Sequence, residues 1–540
     1  MDRDIEKVST NSGTIGYREN ETTFAPIQST AQATRTHSRA SVNLYRSQSQ
    51  NGYSCDPPQN EPFDDVLEKD PFEVGWENGD NDPLCPRSYN KTRKWIIVFI
   101  VSFASFCVTC ASSIYTSTYA QMEAEFGNVR LVSILGLSLF VLGIALGPML
   151  MSPMSEFYGR RPIYLVAWSM YLIWIIPQAV AKNIATILVG RFFDGFSGSA
   201  FLAVSGGTVG DLFAIDELQA PMLMFSIAPF IGPSIGPLIG GLINYNAHWR
   251  WTYYILLIWA FGLWLAIVLV VPETYHPILI RNKARQIRKE TGDERWKAPA
   301  EKVEKSVAGA IGRSLLRPFQ LLIFEPMCLN LCVFTAILLG ILYLFFGAFP
   351  LVFRTVYGFN LWQTGCTFLG ILVGMLAAAA LDPVWHRIRN NLIRKLSEET
   401  GIEYYSQPEF RLPSAIMGAL IVPVGIFMFG WSCYPSVHWI VPIIGSAIFG
   451  AGVLLVFSGV FTFLVDAYPQ YAASALAANA FVRCSFAAAF PLFGNQMFNK
   501  LNYHWASSLL AFLTLAMMPF PYLFFRYGKR IRAKSRFAIS

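Results

Sequence analysis

Arg191 and Asp194 stand three residues apart in a run that is otherwise apolar or small, Ile184-Ala-Thr-Ile-Leu-Val-Gly-Arg-Phe-Phe-Asp-Gly. On a helix that spacing puts both side chains on one face, close enough to pair. Charges inside a bilayer are costly and normally face a cavity or one another. Counted from Ile184 at about 1.5 Å per residue, Asp194 lies about 15 Å deep, near the midplane of a hydrocarbon core about 30 Å thick. There the low dielectric favours the neutral acid, while a nearby guanidinium favours the carboxylate. If the distance to Arg191 changes with conformation, Asp194 is a proton switch; if it does not, the two form a static structural pair.

Three other sets of residues have chemistry-bearing spacing. Ser152-Pro-Met-Ser-Glu156-Phe-Tyr-Gly159-Arg160-Arg161-Pro162 is a tight turn with a carboxylate, a glycine and two arginines. Such a cluster at a membrane surface can latch one half of a protein against the other, or can simply anchor a loop on the cytosolic side. Gly232-Pro-Ser-Ile-Gly236-Pro237-Leu-Ile-Gly240-Gly241 has glycines at intervals of four, a smooth face for close helix approach, and a proline that weakens the local hydrogen-bond ladder. Arg483 lies near mid-depth of a later apolar run, where it pairs with a backbone carbonyl at the interface of the halves or meets an anionic ligand. Tyr343 and Phe346, in an aromatic-rich stretch, and Asn479 join Arg483 as candidate substrate-cavity residues.

The elements that hold these residues follow from composition. Of 540 residues only 14% are charged, against about 25% in soluble domains. Hydrophobic residues make up 54%, aromatics 15%, and the mean hydropathy is +0.40. These values exclude a soluble enzyme, a nucleic-acid binder and a disordered scaffold. Apolar stretches near the roughly 20 residues that a bilayer demands recur after Lys94. They predict an all-α polytopic membrane protein of 12 transmembrane helices in two six-helix bundles, residues 95–271 and 326–525. Between them lies a polar cytosolic loop, 272–325. Before them, residues 1–94 read as a disordered cytosolic tail, rich in Ser, Thr, Gln and Asn, and a basic cytosolic tail, 526–540, closes the chain. Lys and Arg concentrate in 272–325, in the loop after the eighth span and in the C-terminal tail, which puts both termini in the cytosol. Cys107 and Cys110 form a CxxC inside an apolar run and read as helix core. The six His have no metal spacing. No metal and no cofactor is expected.

The turn at Glu156–Arg161 resembles the loop signature G-x-x-x-D-x-x-G-R-R/K of the major facilitator superfamily, with Ser152 at the first Gly and Glu156 at the Asp. Arg191-Phe-Phe-Asp194-Gly195 resembles the fourth-helix motif of its proton-coupled members. Gly232 to Gly241 resembles the GxxxGPxxGG motif of drug:proton antiporters, although Leu223 stands where an upstream Gly is usual. Asn81-Asp82-Pro83, Pro272-Glu273-Thr274-Tyr275-His276-Pro277, Asp466-Ala-Tyr468 and Phe490-Pro491-Leu492-Phe493 look like fungal members of the twelve-span class.

That resemblance, over about residues 75 to 530, implies two bundles alternating between inward- and outward-facing states. Proton influx then drives export of drugs, toxins or fungal secondary metabolites. Asp194 and Arg191 would couple the proton, Glu156, Gly159, Arg160 and Arg161 would gate, and Gly232, Gly236, Pro237, Gly240 and Gly241 would form the antiporter helix. The expected partners are a small-molecule substrate and the lipid bilayer, with no nucleic acid and a monomeric state. The expected location is the plasma membrane, with the vacuolar membrane as the alternative. A polyamine or metabolite transporter of the same fold is the competing function. A polytopic membrane enzyme would need a convergent set of His, Asp, Ser or Cys, and the His are scattered.

Overall fold

The computed structural model describes residues 72–77, 79–214, 217–301, 307–400, 407–533 and 535–538. Most of the expected N-terminal tail, 1–71, lies outside the described residues. The spans are α1 (Lys91–Ile114), α2 (Arg130–Tyr158), α3 (Arg160–Ala179), α4 (Ile184–Ala203), α5 (Gln219–Asn246) and α6 (Arg250–Val270). They continue with α7 (Pro326–Tyr357), α8 (Leu361–Thr367 and Leu369–Ala380), α9 (Leu412–Trp431) and α10 (Ile440–Ala467). One last apolar helical segment runs 61 residues, Ala472–Arg532. Its length is about three times the bilayer core at 1.5 Å per residue. It breaks at Asn502, the one described non-glycine residue with positive φ (61°, ψ 163°). The break divides it into α11 (472–501) and α12 (503–517, continued by Pro519–Arg532), and so gives twelve spans.

Local chemistry sets the helix ends. The Asn90 and Asn183 side chains accept from the amides of Thr92 and Thr186 at the starts of α1 and α4, and Asn360 with Gln363 forms a reciprocal cap at the start of α8. Gly358 stops α7 in the left-handed conformation. Within the first half α2 pairs with α4, α1 with α5 and α3 with both α4 and α6; within the second, α9 with α10, α7 with α11 and α8 with α10. The halves meet chiefly through α2 on α11 and α5 on α8. Several of these contacts run through glycines. A Cβ built on Gly445 of α10 would stand 2.6 Å from the Phe429 amide of α9, too close for any side chain.

One expectation needs correction. Residues 72–90 are not a free tail. The Val74 amide donates to Lys297 O and the Lys297 amide donates to Phe72 O (both 3.0 Å), and Val74 is buried with Ile280, Ala284 and Ala298 beside Trp76. The expected loop after α6 supplies the partner, an amphipathic helix His276–Thr291. Asp82 accepts from the Leu84 amide (3.0 Å) and from Lys283 Nζ (3.1 Å). Burial pushes its carboxyl up, but these donors outweigh it and hold the pKa below the usual carboxylate range. The apolar Val74 and Trp76 within an acidic stretch are what let this segment bury surface that the Ser- and Gln-rich residues before it lack.

Candidate functional site

Arg191 and Asp194 share a helix and are both buried (1% and 2% exposed), yet they do not form an ion pair. The Arg191 guanidinium donates to the carbonyls of Ala111 (2.9 Å) and Ser112 (3.1 Å) on α1 and reaches Gly136 O on α2 at 3.5 Å. Its carbon lies 4.0 Å from the centroid of Phe140 and 4.5 Å from that of Tyr115. Asp194 faces the other way, toward α3, where Gln178 Nε2 donates to Oδ2 at 3.4 Å. Its Oδ1 is buried without a hydrogen-bond partner. The three-residue spacing predicts a shared face, but the two side chains diverge, Arg191 toward α1 and α2 and Asp194 toward α3. What it missed is that a guanidinium between two helices gains more from several fixed carbonyl dipoles than from one carboxylate on its own helix. Gln178 carried no signal in the sequence beyond a polar residue near the end of an apolar run.

The glycines of α5 do what their spacing predicted and more. A Cβ at Gly236 would stand 2.7 Å from Cys110 O, and one at Gly240 would stand 2.7 Å from Ile114 O, both on the α1 backbone; Gly232 sits against Thr109 and Cys110. Gly241 turns instead to α8, 2.9 Å from Leu361 O. From α8, a Cβ at Gly365 would stand 2.5 Å from Pro237 O. One helix therefore makes backbone-to-backbone contact with its own bundle on one face and with the opposite half on another.

The loop at Glu156 was expected as a latch between halves. Its two arginines instead bind within the first half. Arg160 reaches Asp211 near the end of α4 (Nε–Oδ2 3.3 Å) and Ser155 Oγ (2.7 Å), and Arg161 donates to Val268 O of α6 (3.1 Å). Glu273 is the organising residue that the motif did not name. Its carboxylate accepts from the amides of Arg160 (2.9 Å), Arg161 (3.1 Å), Thr274 (3.0 Å) and Tyr275 (2.9 Å). It thereby caps the start of α3, where a negative charge meets the positive end of the helix. Gly159 has φ 101° and lies against this carboxylate, so a side chain there is excluded twice. Glu156 is half-buried and adds its charge beside Arg160.

The second half repeats the device with other residues. Arg411 at the start of α9 binds Asp466 at the end of α10 (2.8 Å), as Arg160 at the start of α3 binds Asp211 after α4. Arg532, at the end of the helix that continues α12, binds Glu409 ahead of α9 (2.8 and 2.9 Å), as Glu273 after α6 caps α3. Asp382 and Arg387, the acid and base that follow the eighth span, are joined by no hydrogen bond or ion pair among the described residues.

Of the cavity candidates, Tyr343 OH lies 3.0 Å from Ser112 Oγ across the halves, and Phe346 stacks edge-on against Tyr343 (5.1 Å). Asn479 Nδ2 donates to Thr335 Oγ1 at 2.8 Å. These three are buried. Arg483 is half-buried at the contact of α11 with Phe230 of α5 and Phe457 and Phe461 of α10. A cavity of about 640 Å³ opens elsewhere, on the face opposite the termini, between Arg130 and Leu131 of α2, Leu351 and Arg354 of α7, and Leu492 and Asn495 of α11. None of the four candidates lines it, and the Ser112–Tyr343 contact joins the halves away from it.

The family model described as Major Facilitator Superfamily matches residues 101–491. The chain belongs to the major facilitator superfamily. It is a multi-pass membrane transporter rather than an enzyme, and members of this superfamily carry small molecules. The chain is 54% identical to efflux pump atB of Aspergillus terreus, over 85% of this chain and 89% of that one. It is 40% identical to the probable drug/proton antiporter YHK8 of Saccharomyces cerevisiae, over 87% and 91%. Among solved structures of the superfamily, human organic anion transporter MFSD10 superposes with a TM-score of 0.57 at 15% identity, over 79% of this chain and 99% of that one. The proton:xylose symporter XylE bound to 6-bromo-6-deoxy-D-glucose gives 0.57 at 15%, over 82% and 97%. The fold is thus shared with a sugar symporter, and direction and substrate lie in local residues.

Two substitutions test this geometry. Gly236→Val places a branched side chain into the α1 backbone, so transport should fall to near background while the protein still reaches the membrane; turnover equal to wild type would reduce the seam to ordinary packing. Glu273→Gln removes the charge that four amides share, at a cost of about 2 kcal/mol. A lower melting temperature in detergent should accompany slower transport, whereas an unchanged melting curve would show that the cap is redundant.

Proposed function

We propose that this protein is a proton-coupled exporter of small amphipathic or hydrophobic compounds, working by alternating access. One observation carries the reading: α5 lies with its glycine face on the α1 backbone and its Pro237–Gly241 face on α8. A bare seam between the halves can part and re-form without side-chain interdigitation to undo. The likeness to efflux pump atB and to a probable drug/proton antiporter, each over most of both chains, favours export over uptake.

Proton coupling is assigned to Asp194. It sits at mid-depth with one oxygen partnered by Gln178 and the other by no protein donor. Burying an unpaired carboxylate is expensive, so in this conformation the neutral acid is the cheaper state. The Arg191 charge is anchored to α1 and α2 carbonyls. Sliding of α4 relative to α1 brings that charge toward or away from Asp194 and shifts its proton affinity. In the cycle Asp194 takes a proton from the outer side and releases it to the cytosol, and substrate moves outward in exchange. The clamps at Glu273 and Asp211, and at Asp466 and Arg532, hold helices of each half together so that the bundles rock as rigid bodies. The basic loops set both termini in the cytosol, and the plasma membrane is the assigned location. The protein acts as a monomer.

The direct test uses purified protein in liposomes with an imposed pH gradient. Wild type should move a fluorescent amphipathic drug against its gradient, and a protonophore should stop it. Asp194→Asn should abolish the uphill movement yet leave the folded protein in the membrane; undiminished proton-driven transport by that variant would remove Asp194 from the mechanism.

A further inference from the structure

Two arginines lie at mid-depth, and their surroundings differ. Arg191 is satisfied by carbonyls. Arg483 stands eleven residues after the start of α11 at Ala472, about 17 Å along the helix and as deep as Asp194. Among the described residues no hydrogen bond or ion pair engages its guanidinium, and its Nε is buried without a partner. Its contacts are aromatic: the guanidinium carbon lies 5.0 Å from the Phe461 centroid, 5.5 Å from Phe457 and 6.0 Å from Phe230. The rings make a slab of near-parallel faces, Phe457 and Phe461 at 6° and Phe230 at 27° to Phe457.

A guanidinium at mid-depth with five N–H donors, no acceptor and a buried, unpartnered Nε is a costly feature unless an anion completes it. Asp194 cannot serve, because it faces α3 on the far side of its helix. The slab already engages the aromatic side of the arginine, which leaves the N–H edges for a planar oxyanion. Phe230 belongs to the first half, and Phe457, Phe461 and Arg483 belong to the second. Parting of the halves therefore opens the slab beside the charge.

We propose that Arg483 is the counter-ion for the transported compound, and that the substrate class is an amphipathic organic anion: an aromatic body stacked on Phe230, Phe457 and Phe461 with a carboxylate or similar oxyanion on Arg483. This rests on the export reading above and narrows it. It runs against a polycation carrier, for which a mid-membrane arginine that no protein acceptor answers would be repulsive.

The test uses two probes with the same body and opposite charge, pyrenebutyrate and pyrenebutyl-trimethylammonium, on the full chain in nanodiscs. Equilibrium binding of radiolabelled probe should favour the anion at least tenfold. Arg483→Gln should erase the preference and Arg483→Lys should retain most of it, with both variants monodisperse. Equal binding of the two probes by wild type, or a preference unchanged in Arg483→Gln, would overturn the proposal. If neither variant folds, Phe230→Ala replaces them and should weaken the anion alone. The same protein in liposomes separates the two readings. Gradient-driven transport of the cation without the anion sinks the substrate class only. Preferential anion binding without any gradient-driven transport sinks proton-coupled export and leaves the anion site standing.

Discussion

A bilayer core offers no water to a buried charge, so each charge must be answered by the protein itself. In the first half that constraint is met by Arg191, which ties α4 to the carbonyls of α1 and α2. Because those carbonyls take the guanidinium, Asp194 is left with Gln178 and one unpaired oxygen. The Ser112 residue whose carbonyl holds Arg191 also touches Tyr343 of the second half through its hydroxyl. A short chain of contacts therefore runs from Arg191 to the second half, through atoms fixed on one turn of α1.

The second dependence is steric. Bare glycine faces let α5 touch α1 and α8 at backbone distance, and the same economy joins α9 to α10. Charged clamps sit at the ends of the helices on the terminus-bearing face, once around Arg160 and Glu273 and once around Arg411 and Glu409. The two sets are related by the six-helix repeat, although acid and base exchange places between Glu273 and Arg532. Repetition of position without repetition of sequence is what an ancient duplication leaves when only the helix-to-helix tie is under constraint.

Fold class, span number and the family resemblance were legible because they rest on hydropathy over twenty-residue windows and on glycine and proline spacing. Pairings between distant segments were not. Glu273 stood in a quoted motif, yet nothing local told that its carboxylate would cap α3. Arg191 and Asp194 were correctly placed on one helix, but helical spacing cannot weigh a carboxylate against carbonyls supplied from α1 and α2. The second-half copy of the Arg160 tie was not legible, because the structure keeps the analogy in space, at Arg411 and Asp466, and not in the sequence of the turn. Residues 72–90 were assigned to a tail because acidic composition masked the few apolar residues that bury Val74 beside Ala298.

The proton carried in each cycle is proposed to reside on Asp194. Difference infrared spectroscopy on the reconstituted protein reads this directly, through the carbonyl stretch of a protonated carboxylic acid. Addition of a transported compound at a pH where the free protein holds this proton should bleach one such band, and the Asp194→Asn variant should lack it. A band that persists on substrate binding, or that bleaches unchanged in the variant, would contradict the account.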